Sequence, residues 1–293
     1  MKMKYITKVK ANLSIYTKKK TSNILEGSYN SVYKGKSMNF EDLREYVVGD
    51  NVKDIDWKAS SRSNKILIKQ YVAEKKHNIL FILDTGKKML ADTKELDSKK
   101  EIALMVTGTI SYIVDKHGDS ISAIYNSNDK IKLFPFKTGL YNIEKILNSY
   151  EKEISEEREK ENNLENLINY VLKFIRRRMI IFIVTDINGM SNISESTLRK
   201  LSLLHDVMLI NISDALMTGY NAYDVDQEDY IPDYILEDEK LKEIEMEIKT
   251  KIYEETKERF KKYKIVTTTI NKQKDIVNDV FKLLERRKHA NIN

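Results

Sequence analysis

The sequence predicts an α/β fold in which helices flank a mainly parallel sheet, and two features of the chain predict it. Three apolar runs have the length of buried strands, and each is followed by an aspartate: the runs cover residues 78–83, 179–185 and 206–212, and the aspartates are Asp84, Asp186 and Asp214. Segments with apolar residues at helical spacing lie between and after these runs. Strands that alternate with helices indicate parallel strands covered by helices on both faces.

The first 75 residues are less regular than the rest of the chain. Residues 1–38 show no strong periodicity and indicate strands and loops, with Gly27 and Gly35 as turn positions. Residues 66–72 have the composition of a strand. We therefore expect a small β-rich N-terminal extension over residues 1–75 and an α/β domain over residues 76–293.

The elements of the α/β domain follow in order. Residues 98–116 are apolar at helical spacing, and Gly118 ends that helix. Turn-forming residues at 126–129 separate two short strands and predict a hairpin. The helix predicted over residues 163–178 ends in three arginines, whose charge favours a helix C-terminus. The other predicted elements are helices over 140–150, 195–204, 240–262 and 272–287, and a strand over 264–268.

Composition excludes several classes of protein. The 293 residues include no cysteine, which excludes disulfides, thiolate zinc sites and cysteine nucleophiles and suits a reducing compartment, so we expect a cytoplasmic protein. The apolar runs are far shorter than the roughly 18 residues of a membrane span, so we expect none. The basic N-terminus lacks the apolar core of a secretory signal.

The charge balance argues against a nucleic-acid partner. The formal net charge is +6, because 51 basic residues are nearly matched by 45 acidic ones. A nucleic-acid site requires basic residues clustered on one side with aromatic residues among them, and Lys18–Lys20 is too short a run to provide that. We expect no nucleic-acid binding.

The stretch from Leu43 to Ser63 concentrates charges around two aromatic side chains, Tyr46 and Trp57, the second being the only tryptophan. Its charged residues include Arg44, Glu45, Asp50, Asp54, Asp56 and Arg62. One interpretation is a salt-bridged corner, formed by Arg44, Asp50, Asp56 and Arg62, that holds the extension against the sheet. The other is an exposed face for a partner, because Trp, Tyr and Arg dominate interface energetics. Both interpretations stay open from the sequence.

The three aspartates that follow the strands form the second candidate site. In open α/β sheets ligands bind beyond the carboxyl ends of the strands, so these carboxylates are expected to converge there. The hydroxyls available near them are Thr85, Thr138, Thr185 and Ser191. Such oxygen ligands suit a hard divalent cation. The four histidines, at 77, 117, 205 and 289, stand apart and show no metal-ligand spacing.

Residues 84–89, Asp-Thr-Gly-Lys-Lys-Met, resemble the D-x-S-x-S metal-ion-dependent adhesion site of von Willebrand factor A domains, and Thr185-Asp186 resembles the later aspartate loop of that fold. Gly86 and Lys88 stand where the two metal-binding serines would be, so the site is degenerate. A lysine 4 Å away would repel a divalent cation by about 4 kcal/mol per unit charge. We expect no cofactor. If this site did bind a metal ion, the ion would be Mg²⁺ and its ligands would be Asp84 and Asp186.

A longer segment, from Gly35 to Ser63 together with the strand and the Asp84 loop that follow, is similar to the bacterial family known as domain of unknown function fifty-eight. The matching positions are Arg44, Tyr46, Gly49, Asp50, Ile55, Asp56, Trp57 and Arg62, while Lys53 replaces the usual arginine and Ser37 a frequent glycine. The resemblance implies a von Willebrand A-like (Rossmann-like) domain with an N-terminal extension. It also implies a non-enzymatic adaptor or scaffold that acts with a MoxR-type AAA+ ATPase.

We therefore predict a non-catalytic protein-interaction module whose docking face comprises residues 84–89 and 186–190. The residues expected to contact the partner are Thr85, Lys87, Lys88, Asn188, Trp57 and Arg62. The alternative is a metal-dependent hydrolase with Asp84 and Asp186 as ligands. No base, nucleophile or oxyanion donor can be named for it from the spacing of residues.

Overall fold

The computed structural model describes residues 3–19, 42–70, 76–127, 130–155, 163–218, 223–224, 229–232 and 238–290. The strands in the described residues are β1 Asp42–Glu45, β2 Leu67–Gln70, β3 Asn78–Leu83, β4 Ser120–Ser127, β5 Lys130–Leu133, β6 Ile180–Thr185, β7 Asp206–Ile212, β8 Tyr223–Asp224, β9 Asp229–Tyr230 and β10 Val266–Ile270. The α-helices there are α1 Lys4–Lys19, α2 Trp57–Ser63, α3 Lys99–Lys116, α4 Leu140–Ser155, α5 Leu164–Phe174, α6 Ile187–Ser191, α7 Glu195–Leu204, α8 Glu239–Lys262 and α9 Ile276–Ala290.

Six strands form one sheet in the order β10-β7-β6-β3-β4-β5. The first five are parallel, and β5 joins β4 as the antiparallel arm of a hairpin. The strands β3, β6 and β7 are almost wholly buried, which explains their continuous apolar sequence. The predicted α/β class, with a mainly parallel sheet flanked by helices, is confirmed.

Alternate residues of the strands divide the core between the two faces of the sheet. Phe81 and Phe182 point to one face, where their rings stack 5.4 Å apart and helices α1, α3, α4 and α9 pack. Leu80 and Ile181 point to the other face, which α5, α7 and Phe260 of α8 cover. This division follows from the two-residue period of a strand.

The N-terminal region corrects the sequence prediction, because residues 4–19 form helix α1 where strands and loops were expected. Tyr5, Ile6 and Val9 of this helix are buried in the same core as α3 and α4. The close approach requires Gly108 of α3, since a Cβ there would lie 2.9 Å from Cγ2 of Val9. The helical spacing of the apolar residues was present but was diluted by lysines that face outward. The domain division at residue 75 stays a prediction.

The carboxylate of Glu144 fixes the start of α1. It is fully buried and accepts hydrogen bonds from the backbone N–H groups of Tyr5 (3.1 Å) and Ile6 (2.9 Å). These N–H groups have no partner within the helix, and the carboxylate from α4 caps them. Its negative charge also interacts favourably with the positive end of the helix dipole.

Replacing Glu144 by leucine should lower the free energy of unfolding by about 3 kcal/mol, because buried N–H groups lose their acceptor. Hydrogen exchange should accelerate most at the amides of residues 5–9. Glu144→Gln retains an acceptor oxygen and should lose less than half as much. Unchanged exchange in Glu144→Leu would show that the carboxylate does not hold α1.

Two further differences from the predicted elements bear on the candidate sites. Helix α5 ends at Phe174, so the arginines at 176–178 lie in the link to β6 and not in the last helical turn. Residues 57–63 form helix α2, beside the antiparallel pair β1 and β2. Among the described residues, no helix combines the length and apolarity needed to cross a membrane.

Candidate functional site

Three aspartates meet at the carboxyl edge of the sheet, and we name them the aspartate rim: Asp84, Asp186 and Asp214. They follow β3, β6 and β7, which are neighbours in the sheet, and this adjacency explains their convergence. Asp84 and Asp186 are buried, and Asp214 is half-buried. Carboxylates this poorly solvated require partners.

The partner of two of these aspartates is Lys99, the first residue of α3. Its side chain is wholly buried, and Nζ lies 2.8 Å from Oδ2 of Asp186 and forms a second ion pair with Asp214. Burial lowers the pKa of Lys99, but the two carboxylates more than offset that effect and raise it above its usual value. The ammonium group is therefore charged, and it occupies the space between the two aspartates.

The same cluster moves the two carboxyl groups in opposite directions. Burial raises the pKa of Asp186, but the Lys99 charge and hydrogen bonds outweigh it, so that pKa lies below its usual value. Burial and the neighbouring Asp186 charge raise the pKa of Asp214 despite Lys99. One lysine thus neutralises Asp186 more fully than Asp214.

Asp84 has a separate set of partners. Its Oδ2 accepts a hydrogen bond from the Thr185 hydroxyl at 2.5 Å, and its Oδ1 accepts one from the Gly86 N–H at 2.8 Å. The buried Tyr150 hydroxyl donates to its backbone carbonyl at 2.6 Å. Burial, with the Asp84 charge, raises the pKa of Tyr150 well above its usual value, so the phenol stays protonated as a donor.

Gly189 allows β6 and α6 to approach Asp84 this closely. Asp186 caps α6 by accepting the Gly189 N–H at 3.0 Å, which brings the glycine over the rim. A Cβ at position 189 would lie 1.9 Å from the Thr185 hydroxyl oxygen and 2.9 Å from Oδ2 of Asp84. No larger residue fits without displacing these groups.

The donor set does not fit a divalent cation, because both aspartates named as its ligands are already engaged. Oδ2 of Asp186 faces the Lys99 ammonium and Oδ2 of Asp84 faces the Thr185 hydroxyl. Within the described residues, no group of three or more acidic or histidine side chains is arranged to hold a metal ion. A divalent cation bound by Asp186 would have to displace the Lys99 ammonium.

The residues predicted as partner contacts on this face lie around the rim. Thr138, expected near the aspartates, lies instead at the amino end of the sheet, because Lys137 pairs with Ile121 at the start of β4. Thr85 is buried and donates to the carbonyl of Asn126 at 3.0 Å. Lys88 is exposed in a short 3₁₀ turn, whereas Lys87 in the same turn is half-buried. Asn188 is half-buried in α6. Sequence reasoning missed Lys99; its one local signal is a cation at a helix N-terminus, where the helix dipole disfavours it.

Helix α8 holds the segment that follows Asp214. Glu245 accepts hydrogen bonds from the N–H groups of Met217 (2.7 Å) and Thr218 (2.9 Å), and Lys249 donates to the carbonyl of Ala215 at 2.7 Å. Burial raises the pKa of Glu245, but Lys249 and these N–H groups lower it further, to about 2.

This pKa predicts that the hydrogen bonds between Glu245 and the segment after Asp214 are sensitive to acid. The folded-state pKa of about 2 lies below the usual 4.5, so the contribution of Glu245 is complete above about pH 4.5 and is lost as the pH falls towards 2. In urea unfolding, the difference between the wild type and Glu245→Gln should be about 2 kcal/mol at pH 7 and should shrink steadily below pH 4.5. A difference independent of pH would contradict the assignment.

The stretch from Leu43 to Ser63 is an exposed turn and helix, and it contains the Arg44–Asp50 ion pair that the salt-bridged interpretation expects. The attachment of such a corner to the sheet stays a prediction. Arg44 and Asp50 form two hydrogen bonds of 2.6 and 2.7 Å, and Asp50 also accepts the Val47 N–H at 3.0 Å. These contacts lower the pKa of Asp50 to about 2. Gly49, with φ of +112°, closes the turn. The motif thus shapes a turn at the surface.

The remaining motif residues continue this exposed surface. Asp56 caps α2 by accepting the Ala59 N–H at 2.9 Å. Trp57 is 65% exposed, Arg62 is exposed on the same short helix, and Tyr46 is half-buried. No residue of α2 is buried, which leaves Trp57 and Arg62 available to a partner. Their predicted role in binding stays a prediction.

Three comparisons with solved structures show distant similarity. BatB from Bacteroides thetaiotaomicron is 16% identical with a TM-score of 0.43, over 71% of this chain and 99% of that one. An aerotolerance-related membrane protein from Bacteroides fragilis is 15% identical with a TM-score of 0.40, over 70% and 99%. The PilB minor pilin from Streptococcus sanguinis is 9% identical with a TM-score of 0.45, over 77% and 65%.

Comparison with known sequences is more specific than the comparison with solved structures, because it identifies a family. The chain is 21% identical over 202 residues to the uncharacterized proteins Rv1480 of Mycobacterium tuberculosis and Mb1516 of Mycobacterium bovis, which is 69% of this chain. It spans 63% of the length of these relatives. The model of the family "Protein of unknown function DUF58" matches residues 42–218, more than half of the chain. The chain therefore belongs to the DUF58 family.

Proposed function

We propose that the chain is a non-catalytic protein-interaction module that acts with a MoxR-type AAA+ ATPase in the assembly or remodelling of protein complexes. The family resemblance supplies the class of partner. The observation that supports the proposal most directly is the arrangement of the aspartate rim, where the Lys99 ammonium lies between Asp186 and Asp214. A rim whose carboxylates are already held by Lys99 and by hydrogen bonds suits a rigid docking surface better than a catalytic centre.

The hydrogen bonds of the rim support this proposal over the hydrolase. A metal ion or a substrate proton at Asp84 or Asp186 would compete with the donors that these carboxylates already accept. Each oxygen of Asp84 accepts a hydrogen bond, from Thr185 and from Gly86, and each oxygen of Asp186 accepts one, from Lys99 and from Gly189. No specific observation favours metal-dependent hydrolysis.

Lys88 is the exposed cation beside the rim, and we propose that it contacts an acidic group of the partner. Lys88 lies four residues after Asp84, in the 3₁₀ turn that follows that aspartate, and its charge lowers the pKa of Asp186 after the larger effects of burial, Lys99 and Gly189. Contacts of this kind mainly change association rate and salt dependence.

The test measures binding of the purified chain to a MoxR-type ATPase from the same organism across a salt series. Lys88→Glu should weaken binding about tenfold and reduce its salt dependence with unchanged melting, whereas the control Lys145→Glu, at an exposed site in the middle of α4, should bind normally. Trp57→Ala tests the second predicted contact. Absence of binding by the wild type, or equal binding by Lys88→Glu, would overturn the partner or the docking face respectively.

A further inference from the structure

The amino edge of the sheet, opposite the aspartate rim, carries a group of cations and exposed apolar side chains that the proposed function does not use. We name it the basic edge: Phe174, Arg176, Arg177, Arg178, Leu203 and Leu204. All three arginines are exposed. Phe174 is 59%, Leu203 75% and Leu204 50% exposed. Large apolar side chains grouped at a surface indicate an interaction site.

Strand pairing brings the two halves of this edge together. Ile180 of β6 lies opposite Asp206 of β7, and the Asp206 N–H donates to the carbonyl of Met179 at 2.9 Å. Arg178, which precedes Met179, therefore lies beside His205 and the end of α7. Burial and then the Arg178 charge lower the pKa of His205, which agrees with that placement.

Helix packing places the apolar residues at the same edge. The carboxylate of Glu165, at the start of α5, accepts a hydrogen bond from the Thr197 hydroxyl, at the start of α7, at 2.8 Å. The two helices lead into the neighbouring parallel strands β6 and β7, so they run side by side and their last residues, Phe174 and Leu204, lie at one edge. Arg177 extends the edge towards the hairpin, with its guanidinium 4.1 Å from the ring centre of Phe136.

Carboxylates of the described residues do little to neutralise this edge. Asp206 is buried and forms an ion pair with Arg287, which also donates to the carbonyl of Lys264 at 3.0 Å. Asp119 is buried and accepts the His77 N–H at 2.8 Å. The exposed Lys173, in the last turn of α5, and the exposed Lys200, one turn before the end of α7, add to the positive charge. The surface is thus complementary to an extended anionic partner.

We propose that the basic edge binds the surface of an anionic lipid bilayer, with arginine and lysine side chains on headgroup phosphates and Phe174, Leu203 and Leu204 in the acyl boundary. Exposed leucines favour this partner over a nucleic acid, because leucine neither stacks on bases nor contacts phosphate productively. This binding needs no membrane span. Because the aspartate rim lies at the opposite edge of the sheet, the proposed docking face would stay accessible while the basic edge is bound to a membrane. Membrane binding by the basic edge does not depend on the proposed docking face.

The experiment measures co-sedimentation of the full chain with phosphatidylcholine vesicles that contain or lack phosphatidylglycerol. We expect binding only to the anionic vesicles, with a decline at high salt. Arg176→Glu combined with Lys200→Glu should weaken it more than tenfold, since each cation near such a surface contributes about fivefold. Leu203→Gln should weaken it about fivefold while leaving net charge unchanged.

The matched control is Lys145→Glu with Lys152→Glu, two exposed positions on α4, which should retain wild-type binding. All these side chains are exposed, so folding should survive, and melting temperatures check this. Failure to bind anionic vesicles, or equal loss in the control, would overturn the proposal. Binding to random duplex DNA that is stronger than vesicle binding and unaffected by Leu203→Gln would assign the edge to nucleic acid instead.

Discussion

Replacing Lys99 by methionine is expected to destabilise the fold by about 3–5 kcal/mol. Methionine fills a similar volume but removes the ammonium that lies 2.8 Å from Asp186 and also pairs with Asp214. Two poorly solvated carboxylates would then face each other without a cation. Urea unfolding measures the loss, and the stability of the variant relative to wild type should recover as the pH falls and one carboxyl group is protonated.

The neighbouring Lys100→Met provides the matched control. Lys100 is half-buried and donates to the Ser155 hydroxyl at 3.3 Å, so its loss should cost less than about 1 kcal/mol. Combining Lys99→Met with Asp186→Asn and Asp214→Asn should restore part of the stability, because the buried charges are removed together. Equal effects of Lys99→Met and Lys100→Met would contradict the central role of Lys99.

Calorimetry on the wild type tests whether the rim binds metal ions. Calorimetry with Mg²⁺ should detect no binding at the wild-type rim, since Lys99 already lies between the aspartates. Mg²⁺ bound by the wild-type aspartates would instead show that the ammonium is displaced, and would return the metal-dependent hydrolase to consideration.

Replacing Gly189 by alanine is expected to cost about 3 kcal/mol, at the upper end of the range for overpacked positions. The added Cβ would lie 1.9 Å from the Thr185 hydroxyl oxygen, so the hydrogen bond from Thr185 to Asp84 must break or α6 must move. Either change disturbs the docking face. Thermal unfolding measures the cost, and binding to the proposed ATPase partner should weaken together with it.

Two variants make this prediction specific. Asn192→Ala, at the exposed end of the same helix, should change stability little. Adding Thr185→Ala to Gly189→Ala should give a smaller loss than the sum of the single variants, because the clashing hydroxyl is gone. Additive losses would show that the clash with Thr185 is not the cause.

The two proposed surfaces lie at opposite ends of the parallel strands. The aspartate rim follows the carboxyl ends of β3, β6 and β7, and the basic edge precedes the amino ends of β6 and β7. Lys88→Glu and Arg176→Glu with Lys200→Glu should therefore affect different partners. If one variant abolished both kinds of binding without unfolding the protein, the two surfaces would not be separate.

The sequence by itself determined the parallel sheet, because buried parallel strands need continuous apolar residues. It also determined the positions of Asp84 and Asp186, because each directly follows one of these apolar runs. It also identified the motif of Arg44 and Asp50, since those residues lie six apart and their contact is local. It did not reveal helix α1, whose buried face depends on α3, α4 and the carboxylate of Glu144.

Only the tertiary structure decided the chemistry of the rim and the grouping of charges at the two ends. Lys99 is 87 residues from Asp186 and 115 from Asp214, and its one local signal, a cation at a helix N-terminus, is shared with Lys100. Arg178 and Leu204 are likewise brought to one edge only by the pairing of β6 with β7. Long-range electrostatics depends on distance in space, which a local pattern of residues does not contain.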